Sequence, residues 1–307
     1  MSTATVLGMK LGVAVWLVLV GAAEVVGVIA LWRFFVRSEH GQVIDTIALT
    51  GNSIGQRRVG IITDTVLNTM SVVSIAAAIA AVVFIALLRG RVGLALVALL
   101  FIAGANLTTQ LLKAGLYRPI YGVDKVRDQA GNSFPSGHTT AAAAVAVALV
   151  FVLPARVRGI GAVLGAAFAG LVGVATLSAG WHRPSDAVAA MLVVGGWACL
   201  AGLVLLLLRR SDANEREGGH WGAVVFLALV GVALLVIAAL ALRWTNQVLQ
   251  IPPEELSRRR LFAAYAGGMA GIAGTACLML AVVTSTIHAV VPRIRNEQRD
   301  GHALERA

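Results

Sequence analysis

The sequence predicts an all-α, polytopic integral-membrane helix bundle, and three observations predict it. Hydrophobic residues make up 58% of the 307-residue chain and charged residues only 13%, about half the charged share of an ordinary soluble domain. Apolar runs of about 20 residues, the length that crosses a bilayer as a helix, recur along the chain. The segments between them are mostly short and polar, and several carry clustered arginines. About eight crossings follow, and they leave no room for a soluble domain.

In chain order the spans lie near 11–32, 68–88, 92–112, 138–154, 159–180, 186–208, 222–242 and 263–290. The first is too long, and with Glu24 too polar, for a cleaved signal peptide, so it is expected to remain as an anchor. Glu24 is an intramembrane acid for which function and structural pairing are equally open. The turns "RGR" at 89–91, "ARVRG" at 155–159 and "RRSDANERE" at 209–217 are compact and Arg-bearing, which marks the cytoplasmic side and puts both termini there. The long segments 33–67, 113–137, 181–185 and 243–262 then face outside. They hold about as many cations as the inside turns, as expected if Lys113, Arg118 and Arg183 serve chemistry rather than topology.

Cys199 and Cys277 fall within spans and read as small packing residues. Gly267 and Gly271 in "AGGMAGIAG" have the spacing that packs helices, first within one chain and second between copies in an oligomer. The net charge of +10 does not imply nucleic acid, because most arginines flank apolar spans, where anionic headgroups and interfacial anchoring account for them. His40, His220, His288 and His302 lack partners at ligand spacing, so no metal site and no cofactor is expected. "PPEELSRRR" at 252–260 reads as a solvated outer loop and "RIRNEQRDGHALERA" as a charged tail.

Chemistry concentrates in three polar clusters: "ANLTTQLLKAGLYRP" closing the third span, "PSGHTT" opening the fourth, and "SAGWHRPSD" where the fifth meets the sixth. One helical hairpin separates His138 from His182, so the two histidines share a membrane face, and Lys113 and Arg118 lie on the loop leading to it. A cationic pair, a Ser-Gly turn opening a helix and two histidines suit a phosphate site. First-turn N–H groups bind anions, Gly137 permits close approach, and Ser136 adds a hydroxyl. Asp186 falls one turn after His182 on the same helix face and would orient the imidazole. His182 is then the candidate nucleophile and His138 the general acid. The bland readings are a capped helix start for "PSGH" and snorkelling cations for Lys113 and Arg118; Asn106, Thr108, Thr109 and Gln110 are expected to hydrogen-bond neighbouring helices.

"KAGLYRP", "PSGH" and "HRPSD" resemble the three signature segments of the type 2 phosphatidic acid phosphatase superfamily, which includes lipid phosphate phosphatases, glucose-6-phosphatase and vanadium haloperoxidases. The resemblance covers roughly residues 60–208. It implies a six-helix core, metal-independent chemistry and a phosphohistidine intermediate. It further implies Lys113 and Arg118 as phosphate clamps, Ser136 and Gly137 as phosphate-binding donors, His138 as acid, His182 as nucleophile and Asp186 as its partner. The chain then divides into a core over 1–208 and two additional helices with a charged tail over 209–307.

Two positions depart from that pattern. Four residues rather than six separate Lys113 from Arg118, which on a continuous helix puts them roughly 140° apart. The third segment's Ser-Arg is replaced by Ala175-Thr176, removing a bidentate cation. Arg183, Lys125 and Arg127 are the possible compensating cations. The expected substrate is a lipid phosphate, of polyprenyl diphosphate or phosphatidic acid type, held with bilayer lipids at the outer face of a bacterial plasma membrane. Transfer to an acceptor hydroxyl, or lipid-phosphate binding or transport without catalysis, are the alternatives.

Overall fold

The apolar runs form helices because the bilayer interior tolerates only backbone that satisfies its own hydrogen bonds. The computed structural model describes residues 3–54, 63, 65–67, 72–124, 131–208, 220–251 and 255–290, and no strand occurs among them. The long elements are α1 (Thr3–Leu31), α2 (Glu39–Thr50), α3 (Val72–Leu88), α4 (Val92–Gly115), α5 (Gly137–Val152), α6 (Ala155–Ser178), α7 (Pro184–Leu208), α8 (Trp221–Thr245) and α9 (Arg258–Val290). The turn at 209–217, residues 252–254 of the loop before α9, and the tail from 291 onward lie outside the described residues.

Among the described residues, six stretches are long and apolar enough to cross a membrane: Lys10–Val36, Val92–Gly115, Ala155–Ser178, Pro184–Leu208, Trp221–Val248 and Arg258–Ile287. The chain is therefore a multi-pass membrane protein. The other two expected crossings are the shorter apolar helices Val73–Leu88 and Gly137–Val152. With 16 residues, α5 spans about 24 Å, less than the roughly 30 Å hydrocarbon core.

Alanine and valine dominate α5, and their small side chains let α4, α6 and α7 close around it, so that almost every residue from Thr139 to Val152 is buried. The arginines of the two short turns meet its C-terminal end. Arg89 Nη1 donates to the Val152 carbonyl at 2.6 Å and Arg158 Nη2 to that of Leu153 at 3.0 Å, where cations offset the negative end of the helix dipole. The "PSGH" turn heads the opposite end of the same helix.

α1 packs along α7, and α8 along α9. Gly267, Gly271 and Gly274 of α9 meet Ala241, Ala238 and Gly231 of α8, so the small-residue stripe closes a helix pair within the chain. α9 also packs on α2, α6 and α7. There the Tyr265 hydroxyl pairs with Ser178 Oγ at 2.6 Å, and Gly268 sits against Pro184. Glu24 of α1 rests where Gly195 of α7 leaves room for it.

The segment 33–67, expected only as a long outer connection, contains a helix. A π-helical turn, Trp32–Val36, ends α1 with the Arg37 N–H on the Trp32 carbonyl at 2.9 Å. Ser38 then caps α2, accepting from the Gly41 N–H at 3.0 Å and donating to the Phe34 carbonyl at 2.6 Å. Val43, Ile44, Ile47 and Ala48 follow at helical spacing, but twelve residues fall short of the span length that the composition reading seeks. Gly41 is required, because a Cβ there would overlap the Phe34 carbonyl. Gly41→Ala is expected to cost about 1–3 kcal/mol, the usual penalty for overpacking, and to lower the midpoint of thermal unfolding in detergent. An unchanged midpoint would show that the junction yields.

Candidate active site

The three polar clusters meet at the N-terminal end of α5. α4 stops at Gly115, and Leu116 is extended (φ −86, ψ 123), so the chain leaves the helical path before Arg118. The four-residue spacing therefore does not force Lys113 and Arg118 onto different faces. A Cβ built on Gly137 would lie 4.0 Å from Lys113 Nζ and 3.5 Å from Gln110 Nε2, so both side chains reach the head of α5. Thr108 and Thr109 do bond neighbouring helices, to Trp197 Nε1 at 3.0 Å and Thr140 Oγ1 at 2.9 Å. Gln110 stands instead at the site, and Asn106 Nδ2 returns to its own helix at the Ile102 carbonyl.

Arg118 has both terminal nitrogens buried, with no hydrogen-bond partner among the described residues. Burial and the neighbouring Arg183 hold its pKa below the ordinary arginine value, against the opposing pull of Asp186, Asp45 and Asp124. The next residue is fixed from α2: Gln42 Nε2 donates to the Pro119 carbonyl at 2.9 Å and to the Val36 carbonyl at 2.8 Å.

Ser136 is the N-cap of α5. Its Oγ accepts from the Thr139 N–H at 3.4 Å and from Thr139 Oγ1 at 3.0 Å. Its own N–H donates to the Asp186 carbonyl at 2.9 Å, so this amide is engaged within the protein. The amides of Gly137 and His138 head the first turn, the position at which helix N–H groups bind anions. Asn132 joins this loop to the end of α4: its Nδ2 donates to the carbonyls of Lys113 and Leu116 at 3.3 and 3.1 Å, while its Oδ1 accepts from the Phe134 N–H at 3.1 Å.

His182 is buried beside α7. The Thr176 carbonyl accepts from the N–H groups of Trp181 and His182 at 2.9 and 3.2 Å, while its hydroxyl donates to the Gly173 carbonyl at 2.8 Å. Thr176 thus shapes the histidine turn and adds no charge to the site. Asp186 Oδ2 collects three groups: His182 Nδ1 at 3.3 Å, Ser133 Oγ at 2.7 Å and the Arg183 N–H at 3.1 Å. The last is half of a capping box, since Arg183 precedes α7 and Asp186 is its third residue. A carboxylate acceptor selects the tautomer with hydrogen on Nδ1 and leaves the Nε2 lone pair for reaction. The ring centroids of His182 and His138 stand 6.4 Å apart, with Trp181 at 5.4 Å from His138.

Of the cations expected to replace the third-segment arginine, Arg183 is buried and pairs through Nη2 with Asp124 Oδ2 at 2.8 Å. Its Nε is buried without a partner among the described residues. Lys125 and Arg127 lie outside the described residues. Sequence reasoning missed Ser133, Gln42 and Asp45. Ser133 lies two residues before the quoted "PSGH", and nothing in its spacing marks its carboxylate partner. Gln42 and Asp45 sit on a helix with no sequence relation to the motifs. Asp45 Oδ1 accepts from the Ser185 N–H at 3.3 Å, and its Oδ2 accepts from the Ser185 hydroxyl.

Residues 94–212 match the family model of the PAP2 superfamily, which covers α4 to α7 and every motif residue named above. No curated protein and no solved structure matches the chain.

Proposed function

We propose, taking residues 94–212 as the PAP2-superfamily portion of this chain, that its phosphatase-type activity on phosphate esters is directed at a lipid phosphate and runs through a phosphohistidine on His182. One observation carries the reading: a histidine held through Nδ1 by a buried carboxylate stands across a gap of 6.4 Å, centroid to centroid, from a second histidine. In-line transfer needs that gap, with a nucleophile on one side of phosphorus and an acid on the other. Lys113, Arg118 and the Gly137 amide would hold the phosphoryl oxygens between them.

His182 Nε2 forms the N–P bond as the P–O bond to the lipid breaks, and His138 gives its proton to the departing oxygen. Water then attacks phosphorus as His138 takes back a proton, the N–P bond breaks, and inorganic phosphate leaves. Each step moves charge onto oxygens already faced by cations and amides, the usual source of the largest rate term. None of these steps calls on a metal ion or cofactor.

The lipid assignment rests on placement at the ends of apolar helices, beside exposed Leu107, Leu111 and Trp181, a level at which a headgroup meets the site while its tail stays in the bilayer. On this reading the site faces outside, both termini are cytoplasmic, and the last two helices brace a core over 1–208. Purified protein given polyprenyl diphosphates, phosphatidic acid and a water-soluble phosphate ester, with and without chelator, is expected to release phosphate preferentially from the lipids and to ignore the chelator. No turnover of any lipid sinks the reading; product formation only with an added acceptor alcohol moves it to phosphotransfer.

Arg183 takes over the charge that Thr176 lacks, supported by its burial beside Arg118 and its open Nε. Arg183→Ala is expected to lower kcat about a hundredfold, the scale for one oxyanion donor. A change of less than about threefold would leave Arg183 as the partner of Asp124 alone, without a share in the transition state.

A further inference from the structure

A helix start needs an acceptor for its second amide, normally supplied by a Ser, Thr, Asp or Asn at the cap. α7, which carries Asp186, is preceded by Arg183, whose side chain has no acceptor. The amide of Ser185 is instead met by Asp45 of α2, which also takes the Ser185 hydroxyl. Asp45 is almost fully buried and lies outside the stretch that matches the family model. α2 is held in turn by Gln42 on the Pro119 carbonyl, directly after Arg118. One short helix therefore fixes both the cation-bearing segment and the start of the helix that orients His182.

We infer that Asp45 is a positioning residue of the phosphate site, serving as the N-terminal cap of α7 in trans and thereby setting the Asp186 carboxylate against His182. It touches no reacting atom, and the inference rests on the His182 reading above. The chain of contacts is short. Asp45 holds Ser185, Asp186 is the next residue, and Asp186 Oδ2 holds both His182 Nδ1 and Ser133. The carbonyl of Asp186 also fixes the Ser136 amide at 2.9 Å, so a shift at the start of α7 moves both histidine loops together.

The charge of Asp45 provides a readout that a purely structural contact lacks. Burial and the nearby Asp186 push its pKa up to about 6, while Ser185, Arg183 and Arg118 pull the other way. The charged groups acting on it are thus Asp186 and Arg183 beside the start of α7 and Arg118 after α4. Above pH 6 the wild type carries a carboxylate where Asp45→Asn carries a neutral amide. Below pH 6 both are neutral, so their rates converge.

Asp45→Asn is expected to lower kcat about tenfold to a hundredfold, the range for residues that orient a functional ligand, with KM nearly unchanged and the deficit shrinking as pH falls through about 6. Ser185→Ala, which keeps the amide, is expected to lose about threefold, because one of the two Ser185 donors to Asp45 remains. Orthovanadate, a mimic of five-coordinate phosphorus, supplies a readout independent of turnover, and Asp45→Asn is expected to bind it about tenfold more weakly. If the wild type turns over lipid phosphates while Asp45→Asn matches its kcat and pH profile, this inference fails and the phosphatase reading stands. If the wild type turns over nothing, the phosphatase reading fails, and weakened vanadate binding by Asp45→Asn still supports the cap. Equal vanadate affinity of the two proteins, or a wild type that binds none, overturns it. Should Asp45→Asn not fold, Ser185→Ala with wild-type kcat and vanadate affinity overturns it as well.

Discussion

His182→Ala is expected to lose phosphate release by about 10⁴-fold or more, the scale for removing a covalent nucleophile, and to yield no acid-labile phosphoprotein on quenching with a labelled lipid phosphate. The size follows from the proposed role, since no other described side chain stands across from His138 with a carboxylate behind it. Asp186→Asn is expected to fall between this variant and wild type. Asparagine can keep a contact at 3.3 Å to Nδ1, but it brings no charge to stabilise the imidazolium and no preference for the reactive tautomer. Labelled phosphoprotein persisting in His182→Ala would move the nucleophile elsewhere and discard the step as written.

Arg118→Ala is the second large effect, expected at about 10²- to 10³-fold in kcat/KM, the value of a preorganised donor facing a developing anion. Both its terminal nitrogens are buried without partners among the described residues, an arrangement that is unfavourable until an anion arrives. Arg118→Lys is expected to recover only part of the loss, because one ammonium cannot offer two parallel donors. The same unpaired burial predicts that vanadate or phosphate raises the thermal stability of wild type more than that of Arg118→Ala. Equal ligand-induced shifts in the two proteins would place Arg118 outside the anion site.

The motif residues were legible because their chemistry is tied to fixed local geometry. A helix start after Pro-Ser-Gly and a histidine one turn before an aspartate keep their meaning wherever the helices go. Lys113 was the harder case. On a continuous helix its spacing from Arg118 argues against convergence, and the break at Gly115 with an extended Leu116 removes the objection. The Ser136 amide shows the same dependence on the fold: a helix start offers it to any acceptor, and the neighbouring helix supplies the Asp186 carbonyl.

By itself the sequence determined the membrane bundle, the shared face of His138 and His182 and the pairing of His182 with Asp186. Each follows from composition, span length or a helical repeat, and these act over a few residues. Only the tertiary structure decided that α2 exists and inserts Asp45 and Gln42 behind the site, that Ser133 shares the Asp186 oxygen, and that Arg183 lies beside Arg118. Those contacts join residues 53 to 140 positions apart. Burial selects such pairs, because a carboxylate or amide enclosed between helices must find a partner in space, and no local pattern in the chain says which one.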